Sequence, residues 1–286
     1  MSIASERGRV AIQKVERDLL RLCQEQQPER VHTFRTSTRR VQTLLAELLV
    51  QSDRNQKKLL RLLDGIRKRA GKVRDIDVQI AALRSLKVPQ EPRRKTQLMQ
   101  ALLDLRAKHE KRLRKALKVD TIREIRKRLK RAAKRIDLEA SRDPMTVARQ
   151  MLVKVARRTT PLGEEMLHRY RILVKRARYA AEFAPKSTES RQFIAKMKRL
   201  QDAIGNWHDW LTLTQSAADR FGDVTQSSLV AEVHNVAGGK FRQAVAVLSV
   251  SQLLEVGVKT VPPARPVMSR LKVRAEAARE QTKPAA

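Results

Sequence analysis

The sequence predicts an all-α fold, arranged as two four-helix bundles related by an internal duplication. Three observations lead there. Nearly every long segment carries apolar residues at helical spacing, and none alternates over the length of a strand. Glycine and proline are scarce, nine and ten in 286 residues, and they fall between the periodic runs. One pattern also occurs twice. "VHTFRTSTRR" (Val31–Arg40) and "LHRYRILVKR" (Leu167–Arg176) set His32, Arg35, Arg39 and Arg40 against His168, Arg171, Lys175 and Arg176 at identical spacing.

The elements follow in chain order. Cys23 sits on an apolar helix face and reads as core. Pro28 precedes the helix that carries the first ladder. Gly71 reads as punctuation near a helix end, inside "AGKVRDIDV" (Ala70–Val78). "VPQEPRR" (Val88–Arg94) is a connector. The basic run Lys108–Arg135 predicts one or two helices with Leu113, Leu117, Ile122, Ile125 and Leu129 turned inward and charge over most of the rest. "DPM" (Asp143–Met145) marks a boundary, with Asp143 as N-cap and Pro144 in the first turn. "TTPLG" (Thr159–Gly163) breaks the chain before the second ladder. Gly205 punctuates again inside "IGNWHDWLTL" (Ile204–Leu213).

Each ladder is followed by Gly, two residues, and then Arg74-Asp75 or His208-Asp209. The separation is 39 residues from His32 to Gly71 and 37 from His168 to Gly205. Two elements in one order at nearly one spacing predict repeats over about 1–140 and 141–260. Residues 261–286 form a basic tail rich in Pro and Ala, with room for one short helix.

At about 100° per residue, with His32 at zero, Arg35 falls at about −60°, Arg39 at about −20° and Gln42 at about −80°. Phe34, Val41, Leu44, Leu45 and Leu48 lie opposite. His168, Arg171, Lys175 and Arg178 share a stripe in the same way, with Tyr170, Leu173, Val174, Ala177 and Ala181 opposite. Each helix therefore buries one face and presents cationic donors on the other. Arg40 and Arg176 lie off the stripe, placed to flank it or to pair with carboxylates. A solvated face is the plain reading of any basic stripe. The fixed placement of His among Arg, the recurrence, and the scarcity of acids all count against it here: Glu47 is the one carboxylate between His32 and Gln51. For Arg74-Asp75 and His208-Asp209 two readings stand together. Arg74 and His208 extend the stripe, or the carboxylates sit near a helix start and offset its dipole.

Composition points to a polyanion. Lys plus Arg number 63 against 30 Asp plus Glu, a formal charge of +33. Such self-repulsion asks for an anionic partner. The chain has two Trp, two Tyr and five Phe, too few to stack bases in series, which favours a partner with phosphates and no bases. One cysteine excludes an intrachain disulfide and a Cys-based zinc site. "MSIASERGRV" is no signal peptide, and Gln243–Val258 is too short and polar to span a bilayer. The expectation is a cytoplasmic protein without membrane contact.

Enzymatic motifs are missing. "GGK" (Gly238–Lys240) lacks the length and hydroxyl of a P-loop. His208-Asp209 resembles the metal-binding pair of phosphohydrolases but lacks the other ligands, and His109 and His234 stand alone. The chain is therefore expected to be no enzyme and to hold no metal or cofactor.

Four blocks, "VHTFRTSTRRVQTLLAEL", "AGKVRDIDV", "LHRYRILVKRARYAAEF" and "LQDAIGNWHD", resemble the CHAD domain, the conserved histidine α-helical domain. They stand in family order from about Val31 to Trp210. The resemblance implies a helical fold of two bundles about a pseudo-twofold, spanning about 1–260. It implies binding of inorganic polyphosphate in a basic central groove and association with polyphosphate granules and other granule proteins, with nucleic acid bound only non-specifically. Members are often fused to a CYTH triphosphatase domain; the sequence leaves no room for one, so a stand-alone member is expected. The implied ligands are His32, Arg35, Arg39, Arg40 and Arg74 in the first half, and His168, Arg171, Lys175, Arg176, Arg178 and His208 in the second. Gln42 departs from the family by replacing a usual base, so the first ladder is expected to grip less at its C-terminal end. Ala70 replaces a usual Leu and bears on packing. The rival functions are a nucleic-acid-binding protein and a polyphosphate-processing phosphohydrolase.

Overall fold

A computed structural model describes residues 3–136, 142–156 and 163–250. Over these residues the chain is helical throughout, with no strand. The described helices are α1 (Ile3–Gln24), α2 (Pro28–Thr43), α3 (Arg54–Ser85), α4 (Pro92–Ala116), α5 (Val119–Ile136), α6 (Pro144–Ala156), α7 (Glu164–Ala181), α8 (Thr188–Phe221) and α9 (Ser228–Val250). The expected junction between repeats at 140/141, most of the Thr159–Gly163 breaker and the tail from 261 lie outside the described residues.

Local chemistry fixes the helix starts. Pro28 stands at the first position of α2, where its missing N–H costs nothing. Asp53 accepts from the Gln56 amide at 2.6 Å to open α3, and Asp143 accepts from the Thr146 amide at 2.6 Å to open α6. Ser187 and Ser190 exchange side-chain and backbone bonds of 3.1 and 3.0 Å to open α8. Gly222 ends α8 at φ +85°, a value that favours glycine. A π-helical turn, Leu44–Leu48, continues α2. It buries Leu44, Leu45 and Leu48 and turns Glu47 toward α7.

Two glycine readings are corrected. Gly71 and Gly205 lie in the interiors of α3 and α8, not at helix ends. A glycine signals a break only where packing does not hold the helix, and here Ala70, Val73, Ile204 and Trp207 are buried on either side of the two glycines. It follows that Asp75 and Asp209 are also in helix interiors, so the dipole reading of these carboxylates fails.

The apolar faces predicted for the ladders are the buried ones. Phe34, Val41, Leu44, Leu45 and Leu48 belong to the main core with Tyr170, Val174, Ala177 and Ala181, and Leu173 packs against it. Cys23 packs on this core half-buried. Leu113, Ile122, Ile125 and Leu129 turn inward from α4 and α5, with Leu117 against them. One continuous core thus joins residues from both halves. A second, smaller cluster gathers Ile76, Ile80 and Leu83 of α3, Leu98 and Leu102 of α4, Leu213 and Ala217 of α8, and Leu229, Val230 and Val233 of α9. The 32-residue α3 and the 34-residue α8 run through both clusters, each about 50 Å long. Helices α2 and α7 pack on each other, as do α3 and α8, which brings the two ladders face to face. Among the described residues no helix is long and apolar enough to cross a membrane.

Candidate functional site

The ladder helices meet with their cations converging. Arg35 and Arg39 of α2 stand close enough to Arg171 and Lys175 of α7 for each to feel the others' charge. Arg67 and Arg74 approach from α3, and His208 and Asp209 from α8. Arg35 lies across α3, donating to the Gly71 carbonyl at 3.5 Å and to the Asp75 carboxylate at 3.4 Å. A β-carbon at Gly71 would sit 3.7 Å from this guanidinium, so glycine leaves the guanidinium room against the helix.

The electrostatics are those of cations pressed together. Burial, then the charges of Arg171, Arg39 and Arg35, lower the Lys175 ammonium to about 7, against the pull of Asp209. Burial, then Arg171, His168 and Lys175, lower His208 to about 4, so at neutral pH its imidazole is uncharged. Burial and Arg74 hold His32 below its usual range. Burial also holds the guanidinium pKa values of Arg35 and Arg39 low, though both remain charged. Asp209 is pushed up by burial in spite of Arg171 and Lys175. The His168 and His208 rings lie 5.4 Å apart. The Nε atoms of Arg35, Arg67 and Arg171 are buried without a hydrogen-bond partner in the protein. Buried donors left open carry a free-energy cost that an anion within reach would remove.

The sequence-predicted residues divide into two groups. His32, Arg35, Arg39, Arg74, His168, Arg171, Lys175 and His208 come together. Arg40, Arg176 and Arg178 are drawn into ion pairs with Glu182 and Glu47, while Arg35 pairs with Asp75 inside the cluster. Arg40 crosses to Glu182 at the end of α7, at 2.5 Å, despite part burial. Arg176 crosses the other way to Glu47. Arg178 donates to Glu182 at 2.5 Å and to Gln201 at 2.9 Å, and lies over the Tyr179 ring at 4.6 Å. Sequence reasoning missed Arg67, whose carboxylate partner is Asp64. Its position four residues before Gly71, one helical turn along the same face of α3, was the signal that could have found it.

Comparisons with known proteins bear on the fold and the family. The comparison with curated proteins found no match. The fold is similar to the crystal structure of the CHAD domain from the plant Ricinus communis, with a TM-score of 0.60 and 20% identity over 89% of this chain and 90% of that one. It is also similar to PptA from Streptomyces chartreusis, with a TM-score of 0.63 and 14% identity over 88% of this chain and 98% of that one. The CHAD domain family model matches residues 7–218, which include both ladders and the Gly71 and Gly205 segments that face them; the chain belongs to the CHAD domain family.

Proposed function

We propose that the protein binds inorganic polyphosphate, without catalysis, in a basic groove whose two walls are the ladders of α2 and α7. The observation that carries this reading is the set of four cations from the two ladders, Arg35, Arg39, Arg171 and Lys175, crowded together with open donors on two of them. Mutual repulsion makes such a cluster costly alone and favourable around an anion. Arginine offers forked donors to phosphate oxygens and lysine a compact charge. No base-stacking surface is needed, because polyphosphate has no sequence to read.

The crossed pairs Arg40–Glu182 and Arg176–Glu47 support an internal duplication. Arg40 stands eight residues after His32, and Arg176 eight after His168. Each reaches a carboxylate just past the end of the other's helix, Glu182 fourteen residues after His168 and Glu47 fifteen after His32, a reciprocity that fits a pseudo-twofold between two four-helix units. Association with polyphosphate granules in the cytoplasm, and contact there with other granule proteins, extend the same reading.

The test is binding of labelled long-chain polyphosphate at near-physiological salt, with RNA and duplex DNA as competitors. Nucleic acid at equal phosphate is expected not to displace it. A variant with Arg35, Arg39, Arg171 and Lys175 all changed to Gln is expected to bind about a hundredfold less tightly, with a shallower salt slope. Equal competition by nucleic acid reassigns the site to polyanions in general, and unchanged binding by the variant removes the groove from the account.

A further inference from the structure

Helix α5 carries a second concentration of charge, on the outside of the molecule. Its inward positions Ile122, Ile125, Leu129, Ala132 and Ile136 are buried. Two of its arginines serve the fold: Arg128 bonds Glu124 and Asn55, and Arg135 bonds Asp53 at the start of α3. The remaining six cations, Arg123, Arg126, Lys127, Lys130, Arg131 and Lys134, line one shallow concavity on the exposed face. Their numbers step by three, one, three, one and three, which places them in a stripe along the helix. From Arg123 to Lys134 the stripe runs about 16 Å.

Arg123 pairs with the exposed Asp120 and Arg126 with Glu16. Lys127, Lys130, Arg131 and Lys134 make no ion pair among the described residues. Like charges three and four apart repel and weaken a helix, so the fold gains nothing from this stripe. The face is also bare of apolar groups. The one large exposed apolar side chain on α5 is Val119, at its first residue, so the stripe has no apolar wedge of the kind that seats a helix in a lipid interface. It has no aromatic ring on which a base could stack. The stripe is complementary to repeating negative charge, and its lack of rings favours a bare phosphate chain over a single strand that stacks its bases.

We propose that this face of α5 is a second binding site for a phosphate chain, separate from the ladders. One long polyphosphate molecule is held both in the groove and along α5. The proposal rests on the reading of the ladders as a polyphosphate site and adds a chain-length preference to it. A chain long enough to reach α5 gains contacts that a short one cannot, because the second contact forms at the high effective concentration set by the first.

The experiment compares tripolyphosphate with long-chain polyphosphate on the full chain. It uses two variants, with thermal unfolding as the check on folding. The first changes Lys127, Lys130, Arg131 and Lys134 to Gln and leaves the ladders intact. The expected result is unchanged tripolyphosphate affinity, long-chain affinity lower by about tenfold, and a salt slope shallower by about three. The second changes Arg35, Arg171 and Lys175 to Gln. It is expected to lose tripolyphosphate binding while keeping weak, salt-sensitive binding of the long chain. Unchanged long-chain binding by the first variant overturns the proposal and leaves the groove standing. Equal loss of both ligands by the first variant also overturns it, because α5 then acts through the groove. Tripolyphosphate binding unaltered in the second variant overturns the groove reading instead. Displacement of long-chain polyphosphate from the second variant by duplex DNA at equal phosphate overturns the assignment of α5 to a phosphate chain.

Discussion

The two halves of the molecule hold the same residue types at matching positions, but on opposite helices. Ten residues after each ladder histidine stands Gln42 on α2 or Arg178 on α7. Four residues before Gly71 and Gly205 stand Arg67 on α3 and Gln201 on α8. The cation has changed helices between the halves. Its work has changed too. Arg178 is bound by Gln201, Glu182 and the Tyr179 ring. Arg67 pairs with Asp64 and sends its charge toward Arg39 with its Nε unsatisfied. Arg67 of α3 adds its charge to the first ladder beside Arg35 and Arg39. Arg178 is saturated by its partners, whereas Arg67 and Arg35 keep an unsatisfied Nε beside the pairs they make with Asp64 and Asp75.

Glu182 offers the strongest way to break this comparison. It holds both Arg40 and Arg178, which are 30% and 12% exposed at the side chain. Glu182→Ala leaves both without a carboxylate and is expected to cost about 2–3 kcal/mol in chemical denaturation. Glu47→Ala frees Arg176, 44% exposed, and is expected to cost under about 1 kcal/mol. Equal costs would mean that the crossed pairs are equivalent and that burial does not decide between them.

Arg178→Gln and Arg67→Gln sharpen the difference of role. The first is expected to lower stability by about 2 kcal/mol and to change polyphosphate affinity less than twofold. The second is expected to leave stability within about 0.5 kcal/mol and to weaken polyphosphate about fivefold. Titration and denaturation of both variants give the four numbers, and the opposite pattern would return the ligand role to Arg178.

Lys175 and Arg39 stand at matching positions, seven residues after each histidine, and pH separates them. With the free ammonium at about 7, binding an anion raises its pKa and draws in a proton. Affinity is then full below pH 7 and is expected to fall by up to about tenfold between pH 7 and 9. Stability moves the other way. The unfolded chain keeps this lysine protonated up to its ordinary range, so stability without ligand rises with pH above 7. Lys175→Arg is expected to flatten the binding profile. Calorimetry in two buffers of different ionisation enthalpy reads the proton uptake directly.

The smallest effects concern the two glycines. A β-carbon at Gly205 meets nothing within 4 Å, and one at Gly71 meets Arg35 at ordinary contact distance. Gly205→Ala is expected to stabilise α8 by about 0.5–1 kcal/mol. Gly71→Ala is expected to gain less, because it also crowds the guanidinium that Gly71 accommodates. Thermal unfolding of the pair measures the difference.

Periodicity by itself was enough to read the helices and their inward faces. Phe34, Tyr170, Leu129 and Ile125 are buried where their spacing put them, because a helical stripe of apolar groups has one stable place to go. The repeated ladder was legible for the same reason, since identical spacing puts identical donors on one face. The glycines at 71 and 205 were not legible as helix interior, because a helix through glycine is held by packing from distant segments. Nor could the sequence sort the cations by task. Arg106 is committed to Asp77 at 2.7 Å and to the Gln26 carbonyl at 2.9 Å, and nothing in its neighbourhood in the chain marks it as different from Lys127. The sequence alone determined that this protein would be helical, strongly basic and marked by two matching ladders, since those properties depend on composition and on spacing along one helix. The tertiary structure decided which cations converge and which are taken by Glu47 and Glu182, because a charge acts across space on whatever the fold brings beside it.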